Sequence, residues 1–159
     1  MKLLSALLLT LAATSAMAMP AVNDAASYDV TVSQGGQSIS GTQDLVITAY
    51  NATTKLYTVK STSTFNGQTQ VQEQTTTADK LVSDAAANQL LSNCAAQGGT
   101  LGQVTVPAGT LDACTLPVNE NGARGTVSLG AVPFGLIKLE VANASQSMTL
   151  TLKAYTKGQ

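Results

Sequence analysis

Histidine, the side chain that most often moves protons near neutral pH, is absent from all 159 residues of this chain. Its absence removes Ser-His-Asp and Cys-His catalysis and every histidine-bearing zinc site in one step. A serine–lysine arrangement is the nucleophile that survives. No SxxK triplet occurs, however, and Lys138 and Lys153 fall on stretches patterned as strands. The nine carboxylates are scattered between Asp24 and Glu140. Paired acid–base work needs two of them to converge. Sequence spacing does not show such convergence, and surface solvation is the better account of each. No phosphate-binding GxxxxGK[ST] loop and no GxGxxG is present, and the glycines and asparagines around 119–125 read as loop chemistry. Asn51-Ala52-Thr53 and Asn143-Ala144-Ser145 match the glycosylation triplet, which is too permissive to assign a modification. Arg124, the single arginine, is expected at a solvated strand position.

What remains is Cys94 and Cys114. There is no CxxC and no third ligand for a metal, so the pair reads as a disulfide. Such a bridge closes a loop of about 20 residues and is worth roughly 3 kcal/mol on the chain-entropy model. No catalytic residue, metal site or cofactor is expected, and no ligand-binding residue is assigned. The chain is expected not to be an enzyme.

A disulfide implies an oxidising compartment, and the first residues agree. Lys2 precedes an apolar run over residues 3–13. Ala16-Met17-Ala18 then gives a small-x-small cleavage pattern, with Pro20 just beyond. That is the secretory layout, and the run is shorter than the roughly 20 apolar residues a spanning helix needs. The expected organisation is a signal peptide over 1–18, a flexible lead-in over 19–26 and a single β-rich domain over 27–159. The expected location is periplasmic or secreted, with no stable transmembrane anchor. Charged residues make up 11% of the chain and the formal net charge is −1. No basic cluster exists to attract nucleic acid or an anionic membrane, and weak charge gives weak repulsion against self-association.

The elements that must hold the two cysteines follow from periodicity. Tyr28, Val30 and Val32 alternate with polar residues, which predicts a strand. A short returning piece over 38–41, a stronger strand over 43–50 and another over 55–65 follow. Asn66-Gly67 is a hairpin signal, because a type I′ turn needs positive φ at both positions. Residues 68–76 return with Val71 as their one large apolar residue, the pattern of an edge or strongly exposed strand. The period then changes. Ser83 is a helix N-cap candidate, and Ala87, Leu90, Leu91 and Cys94 fall on one helical face, which predicts a helix over 84–97 stopped by Gly98-Gly99. Strands resume over 101–106, 111–116, 124–129, 136–142 and 147–155, with a loop over 117–122 and a Pro/Gly bend over 130–135. Cys94 then ends the helix and Cys114 lies two strands on, so the bridge would pin helix to sheet.

The segments VTVPAGTLDAC and GTVSLGAVPFGLIKLE, within residues 93–140, resemble a pattern of uncharacterised exported bacterial β-rich proteins. Those proteins are similar to lipoprotein-carrier-like curved-sheet proteins, open half-barrels with helices against the concave face. Leu111 and Ser128 stand where the pattern often carries aromatics, and no catalytic residues come with it. The resemblance and the short connections together imply a mainly β (α+β) fold: an antiparallel, strongly bent sheet or half-barrel of about nine strands with one helix packed on it. A two-sheet β-sandwich is the alternative. The resemblance implies a periplasmic binding or carrier-like module, whose partner would be an apolar small molecule or lipid. The rival expectation is a structural or interaction protein of the cell envelope, such as a fimbrial-type subunit, whose partner would be another envelope protein.

Overall fold

The computed structural model describes residues 19–120 and 122–158, so the signal peptide expected over 1–18 lies outside the described residues. Alternating β-branched and polar residues form nine strands. They are β1 (Ala25–Gln34), β2 (Gln37–Asn51), β3 (Leu56–Phe65), β4 (Gln68–Thr77), β5 (Thr100–Val106), β6 (Gly109–Glu120), β7 (Ala123–Leu129), β8 (Leu136–Ala142) and β9 (Gln146–Thr156). All pair antiparallel in one sheet of order β4-β3-β2-β1-β9-β8-β7-β6-β5. The chain is two meanders fused where its first strand meets its last. One helix, α1 (Asp84–Ser92), lies in the connection from edge strand β4 to the opposite edge strand β5. This is the single antiparallel sheet with one helix that the sequence predicts, and not the sandwich.

The sheet curls at its β5 end. In a flat sheet β5 and β9 would lie four strand spacings apart, about 19 Å. Instead β5 touches both β8 and β9, and the Ala108 N–H, at the tip of the β5–β6 hairpin, donates to the Leu152 carbonyl at 3.3 Å. Register shifts between Ser27 and Tyr28, Ile47 and Ala49, and Ser128 and Leu129 insert an extra residue in one strand of each pair. Such bulges bend a strand and sharpen its twist.

Several local elements differ from the sequence expectation. The two pieces expected over 38–41 and 43–50 are one strand, β2. Thr42 pairs with both Asp29 and Thr64, so neighbours on each side carry the ladder through it. The loop expected over 117–122 is mostly strand: β6 runs through Pro117 to Glu120. β5 pairs with β6 only as far as Thr115, so Pro117 lies where β6 has no neighbour on that side and its missing N–H costs no ladder bond. The helix is shorter than 84–97. Ser83 caps it, its hydroxyl accepting from the Ala86 N–H at 3.2 Å. At its other end the Asn93 side-chain amide donates to the Gln89 carbonyl at 3.0 Å, and a 3-10 turn over Ala95–Gln97 replaces the last helical turn.

The lead-in expected over 19–26 is not loose. Pro20 is buried, the Asn23 N–H donates to the Ile47 carbonyl at 2.8 Å, and Ala25 and Ala26 already belong to β1. The carboxylate of Asp24 accepts from the N–H groups of Ala21 and Gly158, at 2.9 and 2.8 Å, and ties both ends of the domain together.

Two apolar clusters hold the fold. The larger joins Tyr28, Val30, Val127, Ile137, Leu150 and Leu152 of the sheet to Leu90 and Cys94 of the helical connection. The smaller is Ile47, Tyr57 and Val59, with Leu81 packed on it. Phe134, in the bend between β7 and β8, packs against both. Along β6 the buried side changes between Ala113 and Cys114, both fully enclosed, because this strand is covered first on one side and then on the other.

Candidate functional site

The structure joins Cys94 and Cys114 in a disulfide with a Cα–Cα distance of 5.5 Å. The two residues are 1% and 0% exposed. Gly99 covers them: a Cβ there would stand 2.7 and 2.8 Å from the two sulfurs and 2.9 Å from the Leu116 side chain. A bond so enclosed is a staple between the helical connection and β6, without access for an exchanging thiol.

The face beneath this staple is where an apolar ligand would sit in a carrier. It is occupied by a continuous cross-strand row, Leu116, Val127, Leu139, Leu150 and Val30. Ser128 is buried, with its hydroxyl 2.9 Å from that of Thr115, and Leu111 packs half-buried against the main core. One polar atom inside this region has no hydrogen-bond partner among the described residues, the Tyr28 hydroxyl. Burial pushes the Tyr28 phenol far above its ordinary range, because the phenolate would lie in apolar surroundings.

Beyond Val30 the same face changes character. Val30 is opposite Gly41, and Gly41 is opposite Phe65, the last large apolar side chain of the row. Next to it stand Gln43, Ser61 and Ser63. The Gln43 amide donates to Ser61 at 2.7 Å, and the Ser63 hydroxyl donates to Gln43 at 2.6 Å. β4 completes this area. Gln68, Gln70, Gln72 and Gln74 pair with Phe65, Ser63, Ser61 and Val59, so every second residue of the edge strand sets an amide on this face. Residues 68–75 are all exposed. The glutamine alternation was in plain view in QTQVQEQTTT. A reading based on apolar periodicity weighs only Val71 there and passes over it.

A cavity of about 140 Å³ lies elsewhere, at the seam of Met19, Pro20, Asp24, Ser83, Asp84 and Lys157. Its charged groups already hold the chain: Lys157 pairs with Asp84 at 2.7 Å, and Asp24 binds two backbone N–H groups. Lys138 and Lys153 pair with Glu140 and Asp29 at the surface, 2.9 and 3.2 Å apart. Arg124 is exposed on β7, between Asn119 and Ala142. Among the described residues no group of three or more acidic or cysteine side chains is placed to hold a metal, and no helix is long and apolar enough to cross a membrane.

No protein-family model and no curated protein matches the sequence. Among solved structures the chain is similar to a Bacteroides fragilis protein classed as exported, with a YmcC-like fold. The TM-score is 0.54 at 10% identity, over 90% of this chain and 100% of that one. At this identity the likeness is one of fold. MucB, solved in complex with MucA(peri), aligns with a TM-score of 0.46 at 14% identity, over 86% of this chain, which spans about half (51%) of MucB's length.

Proposed function

We propose that this chain is an exported, non-enzymatic protein of the cell envelope that acts by binding another protein, rather than by carrying an apolar ligand inside its sheet. One observation carries the reading: the division of a single sheet face. Its β5–β9 half is filled by the chain's own side chains under α1 and the β5–β6 hairpin. In its β2–β4 half, Ile47, Tyr57 and Val59 are closed over by Leu81 and Phe134, while the area of Gln43, Ser61, Ser63 and the β4 glutamines is open, uncharged and lined by amides and hydroxyls. Such groups bind peptide without the cost of burying an unpaired charge. Export is supported by the leader layout of residues 1–18, by an enclosed disulfide of the kind kept in oxidising compartments, and by the fold shared with a protein classed as exported. The non-enzymatic part is supported by the lack of histidine and by the structural employment of Asp24, Asp84 and Lys157.

The carrier reading keeps one specific observation in its favour. The Tyr28 hydroxyl ends in the core without a partner among the described residues, and an oxygen on a ligand would supply one. One measurement separates the two. The protein is released from its own envelope and weighed by mass spectrometry under non-denaturing conditions. The expected result is the mass of the processed chain alone or with protein attached. A stoichiometric, solvent-extractable lipid would overturn the protein-binding reading in favour of the carrier. A photoreactive side chain at Gln70 is expected to cross-link to protein, and one at Arg124 is not.

A further inference from the structure

An edge strand exposes a row of unpaired N–H and C=O groups, and proteins ordinarily blunt it with proline, lysine, a bulge or a covering segment. β5 meets β8 and β9 through the curl of the sheet and buries Val106 there, although Thr100–Gln103 are exposed. β4 carries none of these devices. Its ten residues hold no proline, no lysine and one charge, Glu73. Its register with β3 runs without a shift from Leu56 opposite Thr77 to Phe65 opposite Gln68.

The hairpin fixes which backbone groups are free. Phe65 and Gln68 flank the two-residue Asn66-Gly67 turn, and the pair closing such a turn exchanges both N–H···O bonds. The backbone groups of Gln68, Gln70, Gln72 and Gln74 therefore point to β3. Those of Thr69, Val71, Glu73 and Thr75 point to the open edge.

We infer that β4 pairs antiparallel with β4 of a second copy of this chain, about a two-fold axis at Val71. The inference rests on the protein-binding reading above and names its partner. At this axis the two Val71 residues exchange both backbone hydrogen bonds. Thr69 does the same with the partner's Glu73. All six residues have their free groups in the required phase. Directly opposed side chains share a face. Gln70 therefore meets the partner's Gln72, and Gln68 meets the partner's Gln74, extending the amide face across the junction. On the other face the two exposed Val71 side chains, each 54% accessible alone, cover one another. Two competing axes in the same phase are worse. An axis at Glu73 sets two carboxylates opposite each other, and one at Gln72 leaves them diagonal neighbours. The Val71 axis separates them by four residues along the strands, about 14 Å. A net charge of −1 per chain offers little repulsion against the approach.

The test is sedimentation of the processed protein from micromolar to near-millimolar concentration, with three sets of variants. The wild type is expected to show a monomer–dimer equilibrium. Val71→Pro deletes an N–H that the monomer leaves free, and Val71→Lys adds a charge at the axis. Each is expected to weaken the dimer at least tenfold with unchanged circular dichroism. Under mild oxidation V71C is expected to cross-link to itself. T69C and E73C are expected to link only when mixed. A protein that stays monomeric, a dimer untouched by both Val71 variants, or self-linking through E73C or Q72C instead of V71C would overturn the proposal. A monomer would leave the lipid-free mass and the Gln70 cross-link standing, so failure here is distinct from failure of the broader reading.

Discussion

Gly41 on β2 faces its cross-strand partner Phe65 with no room for a side chain: a Cβ at Gly41 would run into the Thr64 backbone carbonyl and stand 2.5 Å from the Phe65 ring. The pair marks the point where one sheet face passes from apolar to polar. Gly41→Ala is expected to destabilise the fold by about 1–3 kcal/mol, the usual range for overpacking, read as a lower urea midpoint. Because the Thr64 carbonyl is backbone and stays in place when the ring is shortened, Phe65→Leu should recover only a small part of the cost of Gly41→Ala.

The disulfide closes a loop with a sequence separation of 20. Replacing both cysteines by alanine is expected to remove roughly 3 kcal/mol, measured by equilibrium denaturation with and without the change. Reductant alone should act slowly on the native protein, because both sulfurs are enclosed. Thiol appearance should follow the global unfolding rate. Fast labelling under native conditions would contradict the enclosed geometry.

Among the described residues nothing returns a hydrogen bond to the buried Tyr28 hydroxyl. Tyr28→Phe keeps the ring and removes the unpaired group, so the variant is expected to be about 1 kcal/mol more stable than the parent. A loss of stability instead, in a denaturation experiment, would mean the hydroxyl has a partner in solution.

Two phenols also predict the alkaline behaviour. Burial holds Tyr28 un-ionised, and burial, then the nearby Tyr50 and Asp24 charges, raise Tyr57. The folded state thus favours the protonated phenol more than the unfolded chain does, whose tyrosines ionise near pH 10. The stability tied to these phenols is fully present below about pH 10 and is lost as pH rises towards their folded values. Urea midpoints are expected to be insensitive to tyrosine ionisation up to that pH and to fall above it. Tyr28→Phe should blunt the fall.

Asp24 receives N–H groups from Ala21 and Gly158, near opposite ends of the chain. Asp24→Ala is expected to cost about 2–3 kcal/mol, in line with hydrogen bonds to a charged acceptor. Amide exchange should accelerate at Ala21 and Gly158 before it does in β7. Lys157→Ala removes an exposed ion pair with Asp84 and should change stability by less than about 1 kcal/mol.

Much of this fold was legible because its signals are local. Alternation placed Tyr28, Val30, Ile137 and Leu139, the Asn66-Gly67 turn marked the β3–β4 hairpin, and Ser83 marked the start of α1. What escaped depends on neighbours distant in sequence. Thr42 and Pro117 look like breaks, and both are carried through by the strands beside them. The seat of residues 20–26 depends on Ile47 and Gly158. The glutamine face was missed for a different reason: apolar periodicity does not register a polar alternation. The pairing of β1 with β9 is invisible in either strand alone, since Tyr28 and Leu152 acquire a common face only once the sheet exists.

That central pairing also sets an order of events in time. Ala25 is opposite Thr156, so the seam joining the two meanders uses nearly the first and nearly the last described residues of the chain. Four strands can zip from the amino end and four from the other side. Neither group is a sheet of nine until β9, the final eleven-residue strand, has emerged from whatever machinery delivers it. Closure over so long a separation is slow compared with hairpin formation. A chain shortened by those residues would leave two half-sheets, each with a raw edge and nothing to close against.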